Sequence, residues 1–364
     1  MRSRCKTSWL RSSLVAAALG LATVCALSQA STSADAGGKL RVFFIDVEGG
    51  QATLFVTPAG RSLLVDTGWP GNGGRDADRI VAAAKSAGLS RIDDVLITHF
   101  HDDHVGGVPQ LVQRIPVGTF IDHGPNRELD KGVTERGFVA YQAVLAGGTA
   151  KRVIAKPGDV LPGLGSDVTA TVISADGAVI RSPLPGGGGA NTFCATSETR
   201  PADQTENGRS LGIELTFGNF RILDLGDLTW DKERDLMCPV NKLGRVDVYV
   251  VSHHGWYQSS SPALVDAIGA RVAVMDNGAT KGGSVPTFET LKGAPGLEAL
   301  WQLHFSDEGG AANNRAAEYI ANLAGPDAGH SLELIAGRDG SFAMLNERTG
   351  ETKQYQVAHT TATR

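Results

Sequence analysis

The sequence predicts an α/β fold, and three observations carry that expectation. Short apolar runs of strand length alternate with segments of helical periodicity along most of the chain. One such run, Val95-Leu96-Ile97, leads straight into Thr98-His99-Phe100-His101-Asp102-Asp103-His104, at the carboxyl end of a strand where open α/β sheets place their ligands. The third is size and composition: 364 residues can bury one large core or two modest ones, and 46 glycines suit a loop-rich fold.

Residues 1–30 come first in chain order. Arg2, Arg4, Lys6 and Arg11 precede an apolar stretch over 14–27, and Ser28-Gln29-Ala30 follows it. A basic start, an apolar run short for a membrane span and a small-x-small ending form a signal peptide, with cleavage after Ala30 and Ala36 as the next choice. Ala22-Thr23-Val24 before Cys25 is a poor lipoprotein signal. The expectation is an exported bacterial protein, periplasmic or secreted, with no transmembrane helix after cleavage. Removing those four charges from a formal net of −5 leaves a chain near −9. An acidic chain without a basic run is poorly suited to tight, non-specific nucleic-acid binding. Cys194 and Cys238 remain as an even pair, able to form a disulfide in an oxidising space; two unpaired thiols are the alternative.

After a linker over 31–39, a single domain is expected over 40–350. Residues 40–47 read as a buried strand, 48–51 as a turn, 52–57 as a second strand, and 58–61 as the connection to a third over 62–68. Residues 76–87 are periodic enough for an exposed helix ending at Gly88. A helix continues over 108–114, and the strand at 117–124 ends in His123, which is the one histidine between His104 and His253. Residues 125–150 mix helix and loop and form a candidate lid. A β segment opens at 158–160 and a strand runs over 168–174. Residues 183–208 read as a long loop, functional or disordered, with four glycines at 186–189. No Lys-Ser/Thr follows those glycines, which argues against a phosphate cradle. Strands follow at 207–215 and 220–228, the second ending in Gly226-Asp227, and at 246–255, ending in His253-His254-Gly255. A helix at 261–268, strands at 272–275 and 300–305 (the latter carrying His304), and a closing hairpin over 332–345 complete the domain. Residues 351–364 are expected to form a flexible tail.

The chemistry concentrates at residues 99–104. Imidazole and carboxylate together suit zinc, manganese or iron. His99 and His101 leave the strand in a turn, while Asp103 and His104 begin a helix, so the two pairs can face two neighbouring ions.

His-x-His-x-Asp-His after a strand, followed by Gly106-Gly107, resembles the signature of the metallo-β-lactamase superfamily. That resemblance implies an αββα sandwich, two mixed β-sheets flanked by helices with metals at their edges. It assigns His99, His101, Asp103 and His104 to the metals. Asp227 becomes the bridging carboxylate, able to span ions about 3.5–4 Å apart. His253 or His254 would complete the second metal, with His253, directly ending the strand, as first choice. The superfamily usually supplies a third histidine to the first metal, and His123 is the candidate from this interval. Asp66 matches the aspartate that braces the metal-binding loop by hydrogen bonds. Asp46-Val47-Glu48-Gly49-Gly50-Gln51 partly resembles a stretch of the hydrolase domain of bacterial DNA-uptake (ComEC-like) competence proteins. Asn207-x-x-Ser210-Leu211 and His253-His254-Gly255 resemble the same group. Asp46, Gln51, Asn207 and Ser210 are therefore further site candidates, and His304 is a catalytic, substrate-binding or core histidine.

The implied activity is that of an exported hydrolase with two divalent ions, zinc first and manganese or iron as alternatives. A metal-bridging hydroxide would attack a phosphoester or phosphodiester, with Asp103 and Asp227 central to catalysis. The acidic chain favours a small or cell-envelope ester over long nucleic acid. A carbonyl substrate (lactone, β-lactam or other acyl ester) is the runner-up. An iron-dependent oxidoreductase is disfavoured by the lack of a flavin- or rubredoxin-like segment, and an inactive binding protein by the full set of candidate ligands.

Overall fold

Strands that are apolar on both faces must be covered on both, and that requirement organises the molecule. In the first strand Leu40, Val42 and Phe44 enter one core while Phe43 enters another. The computed structural model describes residues 38–128 and 132–357; the expected signal peptide and all of the expected linker before Gly38 lie outside the described residues.

The strands of the first half are β1 (Leu40–Phe44), β2 (Thr53–Val56), β3 (Ser62–Val65), β4 (Ile92–Leu96), β5 (Val117–Asp122), β6 (Lys151–Ile154), β7 (Val168–Ala175) and β8 (Ala178–Val179). Those that follow are β9 (Gly189–Ala190), β10 (Gly212–Phe217), β11 (Phe220–Asp224), β12 (Val240–Asn241), β13 (Val248–Val250) and β14 (Val272–Met275). The last are β15 (Ala299–His304), β16 (Ile320–Asn322), β17 (Leu332–Ala336), β18 (Phe342–Asn346) and β19 (Thr352–Tyr355). The helices are α1 (Arg75–Ser86), α2 (Asp102–Val105), α3 (Val108–Val112), α4 (Val133–Ala146), α5 (Trp230–Met237), α6 (Pro262–Ile268), α7 (Val285–Gly293) and α8 (Gly310–Asn313). Local chemistry accounts for their ends: α1 carries Asp76 and Asp78 in its first turn and Lys85 in its last, which complements the helix dipole, and Gly88 beyond it takes φ +80.

Nine strands form one sheet in the order β19-β18-β17-β1-β2-β3-β4-β5-β6, and eight form another in the order β16-β15-β14-β13-β11-β10-β7-β8. One core lies between them, with Phe44, Phe55 and Leu96 from the first sheet against Leu215, Ile222 and Trp301 from the second. A second core packs Val95 and Phe120 against Ile80, Leu111 and Tyr141 of the helices. A third packs Leu223 and Tyr249 against Leu236, Ile268 and Phe288. The layers are helix, sheet, sheet, helix: the αββα sandwich.

Topology decides where chemistry can occur. β3 to β6 run parallel, as do β11 and β13 to β16, so each parallel run sends its carboxyl ends to one sheet edge. Asp66, His99 and His123 follow the ends of β3, β4 and β5; Asp227, His253 and Asp276 follow β11, β13 and β14. The two edges are stitched together, since the Leu211 amide donates to the Thr98 carbonyl at 2.8 Å and Gln51 Nε2 to Asp224 Oδ2 at 2.7 Å.

Two expectations need correction. Residues 352–355 are not a flexible tail: they form β19 on the edge of the nine-stranded sheet, where buried Tyr355 stacks on Phe342 at 4.8 Å and accepts a hydrogen bond from Trp301 Nε1 at 2.9 Å. A strand with one buried apolar position leaves too little pattern to read. Residues 183–208, expected to be a long loop that is functional or disordered, are ordered locally. β9 pairs with β12, Asn191 Nδ2 donates to the carbonyls of Met237 and Ala263, and Cys194 is disulfide-bonded to Cys238. Gly187 is needed because a Cβ there would lie 2.5 Å from the Lys242 carbonyl oxygen. The β segment at 158–160 reduces to one bridge, Val160 to Thr171. Among the described residues no helix is long and apolar enough to cross a membrane.

Truncating Tyr355 removes a buried ring and strands the Trp301 indole N–H. Tyr355→Ala should therefore destabilise the fold by about 3–5 kcal/mol, measured by denaturant unfolding. An unchanged midpoint would return these residues to the status of a tail. The disulfide closes a separation of 44 residues, which chain entropy values at up to about 4 kcal/mol. Reduction, or Cys194→Ser, should lower the unfolding temperature measurably.

Candidate metal centre

The centre begins with Asp66, a fully buried carboxylate in the left-handed region at φ +60. Its Oδ1 accepts the Thr98 amide at 2.8 Å, and its Oδ2 accepts Thr98 Oγ1 at 2.6 Å and lies 2.7 Å from His104 Nδ1. This fixes His104 with Nε2 turned the other way. Thr98 Oγ1 also lies 3.0 Å from His99 Nδ1, so the same network sets the His99 ring. Gly226 opposite Thr98 has no alternative, because a Cβ there would stand 2.8 Å from the threonine Cβ.

Turned inward, the ring nitrogens and carboxylates converge in two groups that share Asp227. In one, Asp103, His104, Asp227 and His254 offer ligand atoms all within 4.8 Å of one another. His104 Nε2 is 3.3 Å from both Asp103 Oδ2 and Asp227 Oδ2, and His254 Nε2 is 3.2 Å from Asp103 Oδ2. In the other, His99, His101 and Asp227 converge, with His99 Nε2 3.0 Å from His101 Nδ1 and 3.8 Å from Asp227 Oδ2. Atoms about 2.0–2.1 Å from a tetrahedral ion stand about 3.3 Å apart, so both groups fit a divalent cation. Asp227 Oδ1 is buried with no hydrogen-bond partner and only His254 Nε2, 3.5 Å away, facing it, a costly state for a carboxylate oxygen unless a cation balances it.

Electrostatics agree. Burial alone would raise the carboxyls of Asp103 and Asp227, yet Lys281 and His104 around the first, and His104, His253 and His254 around the second, hold both well below the usual range. Burial and the neighbouring imidazoles push His99 well down, and burial pushes His253 to about 4, whereas against burial Asp227, Asp103 and Asp66 hold His104 well above the usual imidazole range and Asp227 and Asp276 raise His254 to about 9. Metal binds ionised carboxylates and neutral imidazoles, so an ion entering the first group would displace the protons that His104 and His254 otherwise hold.

The histidine pair after β13 resolves differently from expectation. His254, not His253, enters the first group. Both residues adopt left-handed backbone, φ +58 and +54, which is rare outside glycine and turns the two rings to different sides. His253 Nε2 lies 3.3 Å from Asp227 Oδ2 and 3.3 Å from Asn207 Nδ2, beside the shared carboxylate. His123 is also placed otherwise than expected. Its Nε2 pairs at 3.0 Å with Glu206, both side chains fully buried, and it joins neither group. Glu206 also accepts the amides of Phe100 and Arg127, so His123 and Glu206 pin the base of the histidine turn.

The remaining candidates fall around the centre. Ser210 Oγ accepts the Asp227 amide at 3.2 Å and sits 3.5 Å from His99 Nδ1. Gln51 reaches Asp224, whose carboxyl burial pushes to about 7. Asp46 and His304 pair with each other at 2.7 Å and, with Glu48, form a third cluster. Arg79 donates to Asp46 at 3.0 Å and balances its charge, so the pair braces the 46–51 turn without needing a cation. Sequence reading missed Lys281, which donates to Asp103 and to the Gly49 carbonyl, and Asp276, whose Oδ1 lies 3.5 Å from His254 Nδ1. It missed Glu128 as well, 3.3 Å from His101 Nε2. Asp276 directly follows a buried strand, a signal that the reading applied to β4 and not to β14.

Asp66→Asn puts an amide where two donors need a carboxylate. It should weaken metal binding about 10- to 100-fold in a competition titration against a chromophoric chelator, with the far-UV spectrum of a folded chain retained. Unchanged affinity would remove Asp66 from the support of His104.

Comparison with known proteins adds the family context. The sequence model of the metallo-beta-lactamase superfamily matches residues 45–189. Among solved structures, the metallo-beta-lactamase fold protein YhfI from Bacillus subtilis is 13% identical, with 81% of this chain and 99% of that chain covered and a TM-score of 0.44. CmlA, a diiron beta-hydroxylase from Streptomyces venezuelae, is 16% identical over 72% of this chain and 52% of its own, with a TM-score of 0.40. A metallo-beta-lactamase from Cronobacter sakazakii is 16% identical over 50% of this chain and 60% of its own, with a TM-score of 0.30. The family match over residues 45–189, the αββα sandwich and a His/Asp cluster suited to divalent metals make this chain similar to the metallo-beta-lactamase superfamily.

Proposed function

We propose that the protein is an exported hydrolase of phosphoesters or phosphodiesters that works with two divalent metal ions, zinc first. This reading assigns it to the metallo-beta-lactamase superfamily, where its motifs resemble those of the hydrolase domain of bacterial DNA-uptake proteins. The observation that carries the two-ion reading is the position of Asp227 in both donor groups. His99 and His101 would hold one ion, and Asp103, His104 and His254 the other, with Asp227 common to both. When bound, the ions supply Lewis acidity to a water and to the charge that builds up on the attacked ester.

The residues of this chain do the rest. Asp66 and Thr98 fix His104 and His99, and Ser210 fixes Asp227 through its amide, so the ligand atoms are preorganised. His101, at 22% side-chain exposure, His253 at 11% and Lys281 at 35% are the groups through which the otherwise buried cluster reaches solvent. The Asn207-x-x-Ser210 and His253-His254-Gly255 motifs support the phosphoester choice over a carbonyl one. The Cys194–Cys238 bridge is consistent with an oxidising compartment.

Metal analysis of the purified chain should return two ions per chain. Bis(p-nitrophenyl) phosphate, p-nitrophenyl phosphate, a lactone and nitrocefin, assayed side by side, sort the substrate: turnover of a phosphate ester is expected, and turnover of the lactone or nitrocefin alone would replace it with the acyl reading. Asp227→Ala should lower turnover at least a thousandfold while the chain stays folded. A near-normal rate in that variant would rule out a shared carboxylate.

A further inference from the structure

Among the described residues, Lys281 is the one lysine or arginine that forms an ion pair with the candidate metal ligands. It stands on the glycine-rich turn after β14, and close backbone approach fixes that turn on two sides. A Cβ on Gly49 would lie 2.8 Å from the Gly278 amide nitrogen and 3.0 Å from Lys281 Cβ. A Cβ on Gly282 would lie 2.0 Å from the His254 carbonyl oxygen. The turn is wedged between the 46–51 segment and the histidine pair, and the Gly278 amide closes it on the Lys281 carbonyl at 2.9 Å. From this mount the Lys281 ammonium stands over the Trp69 ring, Nζ 5.0 Å from the ring centroid, and donates to the Gly49 carbonyl at 2.8 Å and to Asp103.

The placement is unusual for a structural ion pair. The lysine is 35% exposed and its partner Asp103 only 9%, so the charge enters a buried cluster from the solvent side. An ammonium has three donors, and the two recorded acceptors leave it able to take a third from outside. Any reactant that approaches the cluster past His101 and His253 meets one fixed positive charge on an otherwise acidic protein.

We propose that Lys281 is a specificity-determining residue that binds an anionic oxygen of the substrate beside the reacting bond, which makes the preferred ester one that carries a negative charge of its own. This deepens, and rests on, the two-ion hydrolase reading. A charge-assisted hydrogen bond of this kind is worth roughly ten- to a hundredfold in affinity.

The test uses inorganic phosphate as the probe, titrated calorimetrically into the metal-loaded full chain, with metal content measured on the same samples. Lys281→Met should bind phosphate at least tenfold more weakly than wild type, and Lys281→Arg should recover most of the loss, since both keep a long unbranched side chain and only arginine keeps the charge. On charged and neutral p-nitrophenyl esters, the methionine variant should raise KM for the charged ester and leave KM for the neutral one within twofold. Equal phosphate affinity in wild type and both metal-loaded variants would overturn the assignment of Lys281 alone. Wild type that takes up no divalent metal would overturn the metal centre, and the assignment with it.

Discussion

Two carboxylates that follow strands of different sheets, Asp103 after β4 and Asp227 after β11, are buried within reach of the same His104 nitrogen. Like charges in a dry interior repel strongly, and each also loses its hydration. Imidazoles soften the repulsion and Lys281 offsets part of it, but Asp227 Oδ1 remains without a hydrogen-bond partner. Bringing the two parallel runs edge to edge creates this concentration of negative charge. A cation-binding centre is the arrangement that makes it tolerable, and much of the surrounding structure serves to hold the donors in place.

That service is visible in the backbone. Asp66, His253 and His254 all take positive φ, each at a cost of order 1–3 kcal/mol that packing must offset. Thr98 and His104 hold Asp66, while the Gly226 and His254 carbonyls accept the amides of His253 and Gly283 and lock the histidine turn. Glycine-mediated closeness at 226 and 278 lets loops from the two halves touch without side chains between them, and Gly282 does the same for two loops of the second half. Among the described residues the non-glycine residues at positive φ also include Glu48, Asn72, Asp176 and Ser260, and all of them lie outside the strands.

What could be read in advance follows from range. His99 to His104 lie in six consecutive residues behind an apolar run, so the motif and its strand were legible together, as was Gly-Asp at 226–227 after a second strand. Asp66 was legible through resemblance. The choice between His253 and His254 was not, because it depends on two successive left-handed residues that no periodicity reveals. The same holds for His123, which finds Glu206 from 83 residues away, and for Lys281, which reaches Asp103 across 178. Residues 183–208 looked unstructured because their order comes from a short two-residue pairing and a disulfide rather than from apolar alternation. The tail hid β19 because only Tyr355 among its four residues is buried.

The account stands or falls on a shared Asp227. Anomalous diffraction at the zinc edge from crystals of the metal-loaded chain tests it most directly. Two peaks should appear on either side of the Asp227 carboxylate, one bounded by His99 and His101 and the other by Asp103, His104 and His254. A single peak, or two peaks with Asp227 outside the coordination of either, would contradict it.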